Sequence, residues 1–92
     1  MIYEISYTED AERHIALWRK SGQMQVLRKI AKLLEELQEH PTFGTGKPER
    51  LRGNLNGFWS REITKKDRLI YKIEDSEVIV FVISLKGHYG DK

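Results

Sequence analysis

The sequence predicts an α+β domain in which two N-terminal helices pack on one face of a small, twisted, mainly antiparallel sheet, in the order β-α-α-β-β-β. Residues 9–40 carry two amphipathic stretches separated by Ser21-Gly22. Residues 58–85 carry three short runs rich in β-formers, joined by short polar connections. With 92 residues, 39% of them hydrophobic and 33% charged, residues 1–92 are expected to form a single domain around one simple core.

Ile2–Tyr7 alternates and reads as a first strand. Thr8 follows as a candidate N-cap, with Glu9 and Asp10 in the first turn, where the helix dipole favours acids. Ala11, Ile15 and Trp18 then mark the buried side of a helix that stops near Ser21-Gly22. A second helix starts at about Gln23. Its stripe is Val26, Leu27, Ile30, Leu33, Leu34 and Leu37, and charged residues occupy the other side. His40-Pro41 should end it, because the residue before a proline is pushed out of the helical region. Residues 41–57 hold four glycines and both prolines of the chain, a long punctuated connection of the kind that often carries function. Phe58–Ile63, Arg68–Ile73 and Val78–Leu85 are the three later strands. Their short connections predict an antiparallel meander.

Several function classes are excluded or disfavoured early. With no cysteine, disulfides and thiolate metal sites are unavailable. The three histidines show no HExxH or similar ligand spacing, so no metal or other cofactor is expected. The longest apolar run, Val78–Ile83, is far short of the roughly 20 residues that span a bilayer. MIYEISYTED turns acidic without a signal-like apolar stretch, and a cytoplasmic protein is the expectation.

Charge is unevenly distributed. Residues 1–40 hold six Lys/Arg against seven Asp/Glu, whereas residues 47–72 hold eight against three. A compact basic segment suits a polyanion such as RNA, although a solvated sheet face would look the same.

If Ile63 pairs with Arg68, then Arg61 faces Ile70, and Arg61 and Arg68 share a sheet face with Trp59, Ile63 and Lys72. Leu69, Tyr71, Ile73 and Phe58 are then left to face the helices, where Ser60 and Glu62 fit poorly. The last strand runs back so that its end near Ile83 lies beside Arg68, and Lys86-Gly87-His88-Tyr89 emerges at that end of the sheet. A histidine near an arginine beside a basic surface fits RNA cleavage without metal. There the 2′-hydroxyl is the nucleophile, and a base, a cation and an acid must surround the phosphate. Bland readings remain for each residue: Glu49 as a surface ion pair within KPER, Arg68 as a solvated edge charge, His88 as a chain-end residue. His14 and His40 read as structural or surface positions, and Trp18 and Trp59 as core or loop anchors.

The stretch GKPERLRGNLNGFWSREITKKDRLIYKI, residues 46–73, followed by KGHY at 86–89, closely resembles the YoeB/Txe branch of the RelE-type toxin superfamily. GKPE-x-L, NL-x-GFWSR-x-I, RL-x-Y and HY occur in order. Lys86-Gly87 and the trailing Gly90-Asp91-Lys92 depart from some members.

The resemblance implies a RelE-like microbial ribonuclease fold and the toxin of a type II toxin–antitoxin pair. It implies an endoribonuclease that enters the ribosomal A site and cuts messenger RNA to a 2′,3′-cyclic phosphate and a 5′-hydroxyl. Carried over by position, Glu49 is the general base, Arg68 stabilises the phosphate, His88 is the general acid and Tyr89 positions the substrate. Arg52, Arg61, Lys47 and Lys65 are the expected RNA contacts. The implied partners are the ribosome, messenger RNA and a YefM-like antitoxin, with a homodimer or toxin–antitoxin hetero-oligomer as the assembly. The alternative is a non-catalytic RNA- or ribosome-binding protein that blocks translation by occupancy.

Overall fold

The structure is a computed structural model that describes residues 2–83. Strand β1 (Glu4–Tyr7) leads into helix α1 (Glu9–Ser21) and helix α2 (Met24–Glu39). A two-residue strand β2 (Glu49–Arg50) and a 3-10 turn (Gly53–Leu55) follow, then β3 (Phe58–Glu62), β4 (Arg68–Glu74) and β5 (Glu77–Ile83). The five strands form one mixed sheet in the order β1-β5-β4-β3-β2. Only β1 and β5 run parallel among these pairs. The predicted fold class is therefore correct, and β2 is the element that the sequence pattern did not reveal.

Local chemistry sets the helix ends. Thr8 caps α1 by accepting a hydrogen bond from the Ala11 amide at 3.1 Å, and its hydroxyl also donates to the Phe81 carbonyl at 2.8 Å, tying the cap to β5. Gly22 ends α1 in the left-handed region at φ 72°, which glycine adopts without steric cost. His40 closes α2 with its amide on the Glu36 carbonyl at 2.7 Å, one residue before Pro41.

Both helices cover one face of the sheet. Ala11 and Trp18 from α1, and Ile30, Leu33 and Leu37 from α2, meet Leu69, Tyr71, Val78 and Val80. Trp59 and Ile73 pack against this cluster.

The β3–β4 register differs by one residue from expectation. Glu62 pairs with Arg68, Arg61 with Leu69 and Trp59 with Tyr71. The cause lies in the connection. Ile63 and Thr64 both donate their amides to the Asp67 carbonyl, at 2.8 and 3.2 Å. The Thr64 hydroxyl donates to the Asp67 carboxylate at 2.6 Å and accepts from the Lys66 and Asp67 amides. Ile63 is thereby drawn out of the ladder into an odd-numbered loop, and its side chain joins the core. A one-residue slip moves every side chain of a strand to the other face. Arg61, Trp59 and Ile63 thus face the helices, while Phe58, Ser60 and Glu62 share the open face with Arg68, Ile70 and Lys72. Ser60 and Glu62 no longer conflict with the core. A bulge between Ile70 and Tyr71 adds a second offset, with Ile70 paired to Val82 and Tyr71 to Val80. The end of β5 lies where expected, with Ile83 opposite Leu69, the neighbour of Arg68.

Leu33 lies fully buried between α2 and the sheet. Leu33→Ala is expected to cost about 2–5 kcal/mol in urea unfolding, whereas Leu17→Ala, 48% exposed on α1, should stay within about 0.5 kcal/mol.

Candidate active site

The segment between α2 and β2 is shaped by polar anchors rather than by its own pattern. Arg61 is fully buried and reaches from β3 into this segment. Its Nη1 donates to Glu36 Oε1 at 2.8 Å and to the Thr45 carbonyl at 3.3 Å. Its Nη2 donates to the carbonyls of His40 and Phe43, at 2.7 and 2.9 Å, and its Nε to Tyr71 Oη at 3.3 Å. The Tyr71 hydroxyl in turn donates a hydrogen bond to the Pro41 carbonyl at 2.5 Å. Burial pushes the Tyr71 hydroxyl above its ordinary pKa, against the opposing pull of Arg61, so it remains a donor. Thr45 donates to Glu36 through both its amide, at 2.8 Å, and its hydroxyl, at 2.6 Å.

Two glycines permit this close packing. A Cβ on Gly44, at φ 125°, would lie 2.5 Å from Glu36 Oε1. One on Gly46, at φ 85°, would lie 2.9 Å from the Glu62 carbonyl and 3.2 Å from Arg61 Cβ. The Gly46 carbonyl then accepts from the Glu62 amide at 2.7 Å, which brings the chain alongside β3.

Glu49 enters β2 opposite Ser60, and Arg50 opposite Trp59. Arg50 lies over the Trp59 ring, 5.9 Å from its centroid. Because neighbours in a strand alternate, Glu49 belongs to the other, open face. Glu49, Ser60, Ile70 and Val82 form one row across the sheet, and Arg68 stands two residues beyond Ile70 on the same face. Strand spacing and rise put the Glu49 and Arg68 Cα atoms roughly 12 Å apart. Glu49 is exposed, Arg68 half-buried, and Ser60 and Ile70 between them are buried. The Ser60 hydroxyl has no hydrogen-bond partner among the described residues. On the far side of this face Lys72 lies over Phe58 at 5.8 Å, and Phe58 meets Phe81 edge-on at 4.9 Å.

The other expected positions divide clearly. Lys47, Arg52 and Lys65 are exposed, and Arg52 lines an open cleft of about 640 Å³ with Glu49, Arg50, Asn56 and Trp59. Arg61 is not a surface RNA contact: it is fully buried on the helix side, with all five N–H groups engaged, because the register differs from the one expected. His88 and Tyr89 lie outside the described residues. Reading the sequence missed Glu36 and Tyr71, the partners of Arg61, since a helix-surface glutamate and a strand tyrosine carry no signal until the register is known. Among the described residues, no group of three or more His, Asp or Glu side chains is placed to hold a metal ion. No helix among them is long and apolar enough to cross a membrane.

Two helices on a five-stranded mixed sheet are the architecture that superposes on the YoeB/ParE toxin from Agrobacterium tumefaciens, with a TM-score of 0.80 at 28% identity, covering 86% of this chain and 93% of that one. The chain matches the model of the YoeB-like toxins of bacterial type II toxin–antitoxin systems over residues 7–89, and it belongs to that family. Toxin YoeB of a Synechocystis strain is 37% identical over 86 residues, which cover 94% of this chain and 96% of that protein. The YoeB dimer from Staphylococcus aureus superposes with a TM-score of 0.81 at 28% identity, covering 97% of this chain and 100% of that one. A chain of the heterotetrameric YoeB–YefM toxin–antitoxin complex from S. aureus gives a TM-score of 0.80 at 28% identity, covering 97% of this chain and 100% of that one.

Glu36 provides a pH test of the anchor. Burial pushes its carboxyl upward, but hydrogen bonds from Thr45 and the Arg61 guanidinium outweigh this and hold it below its ordinary value of 4.5. The unfolded chain therefore binds the proton more readily than the native one. The stabilisation is complete above that ordinary value and is lost as the pH falls toward the lower, native one. Glu36→Gln is expected to lower stability at neutral pH and flatten the acid limb, read by urea unfolding between about pH 3 and pH 7.

Proposed function

We propose that this toxin is a metal-independent endoribonuclease that cuts messenger RNA in the ribosomal A site and so stops translation. The observation that carries this reading is the placement of Glu49 and Arg68 on one open sheet face, beside the exposed cations Lys47, Arg52 and Lys65. The gap between two such long side chains suits a phosphodiester.

In this reading Glu49 takes the proton of the 2′-hydroxyl, and the 2′-oxygen attacks the adjacent phosphorus. Arg68 holds the non-bridging oxygens as negative charge builds, with a planar fork that binds two of them together. The bond from phosphorus to the 5′-oxygen breaks, and His88 protonates the leaving oxygen. The products are a 2′,3′-cyclic phosphate and a 5′-hydroxyl. Tyr89 positions the substrate, and Lys47, Arg52 and Lys65 contact phosphates of messenger or ribosomal RNA. The partner that silences the toxin is a YefM-like antitoxin, in a hetero-oligomer like the one solved for the S. aureus protein, or the free toxin forms a dimer. The site of action is the cytoplasm, where ribosomes are.

The test is expression in a sensitive host with messenger 5′ ends mapped after induction. Glu49→Ala and His88→Ala are each expected to reduce cleavage by about 10²-fold or more, and Arg68→Ala by a similar factor. Growth arrest with intact messenger in the wild type would instead establish inhibition by occupancy.

A further inference from the structure

Five donors on one buried guanidinium all turn toward a single stretch of chain and its supports. Three of the acceptors are the carbonyls of His40, Phe43 and Thr45, in the segment that runs from the end of α2 to Glu49. The other two, Glu36 and Tyr71, themselves bond to Thr45 and Pro41 in that segment. The apolar core between helices and sheet is built from other side chains, among them Leu33, Leu37, Leu69, Val78 and Val80.

We infer that Arg61, held by Glu36, is a positioning residue that fixes where Glu49 stands on the sheet. This rests on the reading of Glu49 as the general base. Strand β2 pairs with β3 over only two residues, with one further bond from the Leu51 amide to the Phe58 carbonyl at 2.9 Å, a short ladder that gains from anchoring at its upstream end. Its upstream anchor is the Gly46 carbonyl, which bonds the Glu62 amide, the next residue along β3 from Arg61. Arg61 thus ties down the root of the segment whose tip bears the carboxylate. Removing it leaves the carbonyls of His40 and Thr45 without the guanidinium as donor and that of Phe43 with the His40 ring alone, a cost relieved when the segment swings out to water. Glu49 then samples many positions instead of one. A displacement of about 1 Å is enough to cost about 10²-fold in a reaction that depends on a placed base. Lysine cannot replace arginine here, because its three donors on one atom cannot span acceptors on three sides.

The experiment uses full-length Arg61→Lys and Glu36→Gln beside the wild type, at a temperature where circular dichroism shows each to be folded. Trypsin nicking after Arg50, in β2, reports whether the segment is held, and cleavage of messenger on programmed ribosomes gives kcat and KM. Arg61→Lys is expected to accelerate nicking at Arg50 by at least about tenfold and to lower kcat by about 10²-fold with KM changed by less than about twofold. Glu36→Gln should move both readouts in the same direction by less. Should Arg61→Lys fail to fold, Glu36→Gln decides alone by the same two measurements.

A folded variant with wild-type nicking and kcat overturns the inference, as does faster nicking with kcat unchanged. Either result leaves the ribonuclease reading intact. A wild type that cuts no RNA overturns that reading and the positioning role together, and is recognised before any variant is compared.

Discussion

The ion pair between Arg61 and Glu36 is the constraint around which the segment leading to Glu49 is shaped. A buried guanidinium is costly unless every donor is satisfied, and an apolar replacement of similar shape often stabilises a fold as well or better. Its value here lies in geometry. One planar group with five donors joins a helix carboxylate, a strand tyrosine and three loop carbonyls, which no apolar side chain can do. Tyr71 extends the network to Pro41, and Thr45 closes it on Glu36. A loop with Gly44 and Gly46 at positive φ has little conformational preference of its own. Its shape is imposed from beneath by this network.

The second determinant is the connection between β3 and β4. Thr64 and Asp67 build a hydrogen-bonded turn that takes Ile63 out of the ladder. With Ile63 in the ladder, Arg61 and Arg68 would share a face and Trp59 would be lost from the core. With it in the loop, Arg61 goes inward to the segment leading to Glu49, and Arg68 goes outward to the face where Glu49 stands. A few hydrogen bonds in a short, partly buried turn thereby assign opposite faces to two chemically identical side chains.

That distinction explains what could and could not be read from the residues. The helices were legible because their signals are local: Thr8 before an acidic first turn, Gly22 after the last, and a stripe from Val26 to Leu37. The fold class followed from them and from the three β-rich runs. The register was not legible, since whether Ile63 ends a strand or begins a loop depends on the Thr64–Asp67 bonds, which leave no periodic trace. Strand β2 was invisible for a related reason, because two residues cannot show alternation. Glu49 could therefore be marked as a base only through family resemblance, and its place beside β3 came from the structure. Arg61 is expected as a phosphate contact only through the family resemblance, and its burial on the helix side becomes visible only with the register.

The charge distribution itself reads differently once the contacts are known. Among the eight cations of residues 47–72, Arg61 is buried and offset by Glu36, and Lys72 is paired with Glu74 at 3.1 Å. The positive potential that an approaching polyanion meets comes instead from exposed Lys47, Arg50, Arg52, Lys65 and Lys66, with half-buried Arg68 on the open face. Lys47 and Arg52 flank the short edge strand, Lys65 and Lys66 lie in the connection that precedes Arg68, and Arg50 lies over Trp59 on the helix side. Such exposed charges are screened within about 10 Å at ordinary salt, which suits attraction and orientation of a phosphate backbone rather than tight local binding. Arg68 is the cation that shares the face with Glu49, and a partly desolvated charge acts more strongly on a nearby phosphate than an exposed lysine does. In the proposed reading the exposed cations draw RNA in and Glu49 and Arg68 act on it, while Arg61, buried beneath the segment that leads to Glu49, fixes where that carboxylate stands without touching RNA.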